Sequence, residues 1–188
     1  MEQDIYSKYS NYIEGIIDQP VEAMSFKSSP DYTYMLEHVS HPLGLMYERV
    51  ILTEFPRFAT QYRDVLLSLI SKNDSIGNPP KSEFEFFGKC SPSNLRYIYQ
   101  SLLAVKHLKE MGQLSPNIVE VGGGYGGLCF FISNIARLNG VSVPTYSIID
   151  LPLPSKLQSK VLQKLSPLTR MQFLSAFDYE SKLNTNYF

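Results

Sequence analysis

Cysteine is scarce in this 188-residue chain, with Cys90 and Cys129 as its only two. They show no metal-type spacing, and Cys129 lies in an apolar run that suits a buried thiol, so neither a disulfide nor a zinc site is expected. Basic runs are missing as well. With 17 Lys and Arg against 18 Asp and Glu, the formal charge of -1 leaves no uncompensated positive surface for a phosphate backbone, and no nucleic-acid partner is expected. The first ten residues carry Glu2, Asp4 and Lys8 and no long apolar stretch. They predict neither a signal peptide nor a membrane anchor, and hence a cytoplasmic protein with no membrane partner.

What is present is enough for one core plus a small appended element, since 44% of positions are hydrophobic and 19% charged. Up to about Lys72 the period is helical. Tyr9, Tyr12, Ile13, Ile16 and Ile17 share one face, as do Tyr62, Val65, Leu66, Leu69 and Ile70. Pro42 is placed to open a helix through Leu45, Met46 and Val50, and Pro56 can only begin or break one. Residues 73–81, with Gly77, Pro79 and Pro80, read as a loop and as the domain boundary. The expected division is 1–80, an all-helical cap and substrate region, and 81–188, an incomplete nucleotide-binding domain.

Ser91 and Pro92 form a capping pair for a helix in which Leu95, Ile98, Tyr99, Leu102, Val105 and Leu108 recur until Gly112. A β-branched run, 118–121, then enters a glycine turn, after which Leu128, Phe131, Ile132, Ile135 and Leu138 regain a helical period. A second strand at 146–149 ending at Asp150, a helix at 155–165 and a third strand at 171–174 complete the alternation of a parallel, doubly wound sheet. The expected class is α/β: a partial Rossmann-like sheet behind an N-terminal all-helical region.

The turn carries the chemistry. In Val119-Glu120-Val121-Gly122-Gly123-Gly124-Tyr125-Gly126-Gly127, the residues Gly122, Gly124 and Gly127 also satisfy the dinucleotide fingerprint G-x-G-x-x-G, so glycines alone leave an NAD-type oxidoreductase open. Glu120 discriminates. A carboxylate two residues before the first glycine opposes a bound pyrophosphate and suits a cationic ligand such as S-adenosylmethionine (SAM), which has a sulfonium and an ammonium group and no phosphate. Asp150, 28 residues after Gly122, is placed to accept hydrogen bonds from both ribose hydroxyls, and Leu151 to cover the adenine. Asp178 has the chemistry to receive the adenine amino group beside Phe177. His38, His41 and His107 read as surface or satisfied core residues, and no catalytic base or metal ligand set stands out.

Together, Ser91-Pro92-Ser93-Asn94-Leu95-Arg96-Tyr97, the glycine segment and Ile149-Asp150-Leu151-Pro152 resemble the sugar O-methyltransferases of the class I SAM-dependent superfamily. The likeness spans about residues 91–152. It implies SAM contacts from Glu120, Gly122, Gly124 and Asp150, with Gly123, Tyr125 and Gly126 completing the turn, and it puts Arg96 and Tyr97 on a helix bordering cofactor and substrate. The implied reaction is methyl transfer to a sugar or glycan hydroxyl. Class I sheets run 3-2-1-4-5-7-6, so a chain ending at Phe188 is expected to leave 118–121 at an edge. Such an edge invites a second copy or a complementary chain. A non-catalytic SAM-binding fragment is the corresponding alternative.

Overall fold

Apolar residues three and four apart close the first part of the chain into helices. The computed structural model describes residues 5–36, 39–166 and 169–175. In order, these form α1 (Ile5–Ile16), two single 3-10 turns (Val21–Ala23 and Phe26–Ser28), α2 (Pro30–Thr33), α3 (His41–Glu54), α4 (Pro56–Gln61) and α5 (Arg63–Asp74). There follow a hairpin of β1 (Ser82–Phe84) and β2 (Gly88–Cys90), then α6 (Pro92–Glu110), β3 (Ile118–Val121), α7 (Gly127–Leu138), β4 (Thr145–Asp150), α8 (Pro152–Leu165) and β5 (Arg170–Ser175). The class is α/β. Among the described residues, no helix is long and apolar enough to cross a membrane.

The chain divides into two compact units, Met1–Leu103 and Ala104–Phe188, with the division inside α6. A buried polar knot ties the C-terminal end of α5 to Lys27 and to the start of α6. Lys27 Nζ donates to the Asn73 carbonyl at 2.9 Å, Asn73 Nδ2 to Asn94 Oδ1 at 2.8 Å, and Asn94 Nδ2 to Asp74 Oδ1 at 2.7 Å. The other Asp74 oxygen accepts the Ser91 backbone N–H at 2.9 Å, which places a carboxylate at the α6 N-terminus, where the helix dipole favours it. Tyr9, Phe26 and Tyr32 form the aromatic centre of this unit, with ring centroids 5.8 Å (Tyr9–Tyr32) and 5.0 Å (Phe26–Tyr32) apart.

The hairpin has no counterpart in the sequence reading. Its three-residue strands are too short to show a period of two, and buried Glu48 steadies the turn between them by accepting the Phe86 N–H at 2.8 Å and the Phe87 N–H at 3.3 Å.

In the second unit, β3, β4 and β5 form one parallel sheet in that order, with Ile118 beside Tyr146, Val121 beside Ile149 and Asp150 beside Ser175. Side chains alternate between faces along each strand. Tyr146 and Ile148 point to the face packed by α7, whose Phe130, Phe131 and Ile135 are buried and whose Cys129 Sγ lies 3.2 Å from Met171 Sδ. The opposite face is open at β3: Val119 is 61% and Val121 78% exposed. Among the described residues, β3 pairs with β4 alone.

Candidate functional site

The turn begins where β3 stops pairing. Gly122 N–H still donates to the Ile149 carbonyl at 3.0 Å, after which the backbone swings through left-handed conformations at Gly122 (φ +73), Gly124 (φ +57) and Gly126 (φ +92). Gly126 N–H returns to the Gly123 carbonyl at 2.8 Å, and α7 starts at the next residue. The glycines do two different jobs. A Cβ on Gly122 or Gly124 would meet nothing within 4 Å, whereas one on Gly126 would lie 2.5 Å from Leu162 and one on Gly123 2.7 Å from Ile148. Gly122 and Gly124 thus offer bare backbone to the open side, while Gly123 and Gly126 allow the turn to pack on β4 and α8. Tyr125 is fully buried, side chain and backbone alike.

Glu120 points to the helix-covered face beneath the turn. Its Oε2 accepts from the Tyr146 hydroxyl at 2.9 Å. Burial raises the pKa of this carboxyl above the usual carboxylate range; the Tyr146 hydrogen bond pulls it back and nearby Asp150 pushes it up again. Tyr146 itself is held protonated, chiefly by burial and then by the Glu120 charge, and remains a donor. Asp150, at the end of β4, is half-buried. Its Oδ1 accepts the Leu151 N–H at 2.8 Å and its Oδ2 accepts from Gln158 Nε2 at 2.7 Å. Leu151 is half-buried at the N-cap of α8, and Pro152 takes the first helical position, where its missing N–H is harmless.

The structure therefore gathers Glu120, Gly122, Gly123, Gly124, Gly126, Asp150 and Leu151 at the carboxyl ends of adjacent parallel strands. Phe177 and Asp178 lie outside the described residues, as does His38. Arg96 and Tyr97 belong to the first unit, where the Arg96 guanidinium stacks 5.0 Å from the Tyr97 ring centre. His41 is exposed and turned to the Glu83 carbonyl at 3.2 Å, and exposed His107 lies 4.0 Å from Glu110. Both cysteines are buried free thiols, and burial pushes the Cys90 pKa up to about 12, which leaves it a poor nucleophile. No group of three or more His, Cys, Asp or Glu side chains suited to a metal occurs among the described residues.

Two residues of the site escaped the sequence reading. Tyr146 was visible only as an apolar strand position, and Gln158 only as a polar residue of a helix.

No family model, curated protein or solved structure matches this chain.

What the arrangement can hold follows from its charges. The carboxyls of Glu120 and Asp150 come from neighbouring strands next to the glycine turn, with the N-terminus of the 12-residue helix α7 just beyond. A ligand over Gly122 and Gly124 meets bare backbone with the spare acceptor positions of Asp150 beside it, which suits hydroxyl groups, while the Glu120 carboxyl lies beneath the turn.

Proposed function

We propose that the second unit is a Rossmann-like, class I methyltransferase nucleotide site that binds SAM, and that the protein serves methyl transfer to a sugar hydroxyl. The observation that carries this reading is the pair of carboxyls, Glu120 and Asp150, on adjacent parallel strands next to the glycine turn and close enough for one to raise the pKa of the other. The sugar acceptor rests on the resemblance of residues 91–97, 119–127 and 149–152 to sugar O-methyltransferases.

When bound, SAM supplies an activated methyl group. The chain's contribution is alignment and charge. Gly122 and Gly124 let the ligand approach the backbone, and the free acceptor positions of Asp150 receive the ribose hydroxyls. Glu120 adds negative charge beside the cationic end of the ligand. An ammonium or sulfonium near Glu120 lowers the pKa that burial has raised, so binding and ionisation of this residue reinforce each other. Rate acceleration then comes from holding the acceptor oxygen in line with the methyl carbon at roughly 3 to 3.5 Å.

The overlapping Gly122, Gly124 and Gly127 fingerprint supports a second reading, a nicotinamide dinucleotide site, and Glu120 argues against it by repelling pyrophosphate. A non-catalytic SAM-binding role differs from the first reading only in turnover. The test is calorimetric titration with SAM, followed by transfer of labelled methyl from SAM to a panel of monosaccharides and glycans. Saturable binding with label in the sugar supports the proposal; binding without transfer leaves the SAM-binding role alone, and no binding removes both.

A further inference from the structure

We propose that Gln158 is a positioning residue that locks the ribose-binding carboxylate Asp150 to the glycine turn. The inference rests on reading the turn as a nucleoside cradle. Gln158 lies in the second turn of α8 and is fully buried. Its Nε2 donates to the Gly124 carbonyl at 3.0 Å and to Asp150 Oδ2 at 2.7 Å. An amide NH2 has two hydrogens, and here each has its own acceptor. The reversed amide would set Oε1 against a carbonyl and a carboxylate, so the network fixes the orientation.

One side chain thereby joins the two halves of the cradle: Gly124, which offers bare backbone, and Asp150, which offers acceptors. Leu162, one helical turn further along α8, fills the space that a Cβ on Gly126 would occupy, so the same face of the helix grips the turn at two points. The arrangement is specific to an amide donor. Gln158 Oε1 is buried with no hydrogen-bond partner among the described residues, a feature that a leucine of similar size would avoid. With Leu151 N–H on Oδ1 and Gln158 on Oδ2, the carboxylate is held at both oxygens, and each oxygen keeps a lone pair for one of two vicinal hydroxyls.

The experiment uses the full 188-residue chain with Q158L, and Q158M in its place should Q158L not fold. Calorimetry measures S-adenosylhomocysteine and its 2′,3′-dideoxy analogue on the unmodified chain, on Q158L, and on both in a D150A background. The expected result is about tenfold weaker binding of S-adenosylhomocysteine by Q158L, a change within about twofold for the dideoxy analogue, and no further loss when Q158L is added to D150A. A purely structural glutamine would weaken both ligands alike. Equal losses, no loss, or additive losses with D150A would overturn the proposal. Amide hydrogen exchange without ligand supplies an independent arm: Gly126 and Leu151 should exchange faster in Q158L while the interior of α7 does not change. Should S-adenosylhomocysteine fail to bind the unmodified chain, the nucleoside reading falls, and unchanged exchange at Gly126 and Leu151 would remove the lock as well.

Discussion

Glu120 is a carboxylate held where carboxylates are expensive to ionise, with one hydroxyl donor, Tyr146, to offset the loss of water. Because its folded-state pKa lies above the unfolded one, its contribution to stability is fully present below the ordinary carboxylate range and is lost as pH rises through the raised value. E120Q removes that loss and keeps an acceptor for Tyr146. Thermal melts from pH 4 to pH 8 should therefore show the variant gaining on the unmodified protein as pH rises; a constant difference would mean that folding does not raise the Glu120 pKa. Asp150, at the end of β4, keeps spare acceptor positions on both carboxylate oxygens. D150A should weaken SAM binding by about 2 to 4 kcal/mol through loss of two charge-assisted hydrogen bonds. Calorimetry on a folded variant checks this, and unchanged affinity would remove Asp150 from the site.

At the scale of elements, the division of labour within the turn can be tested with single methyl groups. Alanine at Gly122 meets open space and incurs mainly the strain of its positive φ, about 1 to 2 kcal/mol. Alanine at Gly126 adds a clash with Leu162, for a further 1 to 3 kcal/mol or so. Denaturant unfolding should rank G126A below G122A, whereas Gly124→Val should abolish SAM binding by filling the open side; equal stabilities would contradict the packing role of Gly126. The same elements show what the sequence made legible. The strand-turn-helix of β3 and α7 is readable because Leu128, Phe131, Ile132 and Ile135 repeat cleanly after five glycines, and the run to Ile149 followed by Asp150 marks the end of β4. α8 was read as starting at Ser155, but it begins at Pro152, since prolines in a first turn lack no needed hydrogen bond. The knot of Asn73, Asp74 and Asn94 was hidden because polar residues beside Gly77 and Pro79 look like a solvated loop until their partners, 20 residues away, are in place. Gln158 was hidden for the same reason: no periodicity distinguishes a glutamine that faces water from one that bridges a carbonyl and a carboxylate.

For the molecule as a whole, the exposed face of β3 and its edge, which pairs only with β4 among the described residues, bear on its state of assembly. Val119 and Val121 present apolar surface on a strand whose outer edge has no partner among the described residues, an arrangement that favours pairing with another chain. We propose self-association or capture of a complementary polypeptide through this edge. Light scattering after size exclusion should show mass rising with concentration for the purified chain and a monomer for V119K/V121K; a monomer at every concentration would contradict self-association. The central claim is chemical, however: the glycine turn is tuned by Glu120 for a cationic nucleoside and against a pyrophosphate. Its most direct test is calorimetric titration of the unmodified chain and E120Q with SAM and with NAD. SAM should bind the unmodified chain more tightly than NAD does, and E120Q should weaken SAM while leaving NAD equal or tighter. NAD binding tighter than SAM, or an E120Q variant that binds SAM undiminished, would contradict it.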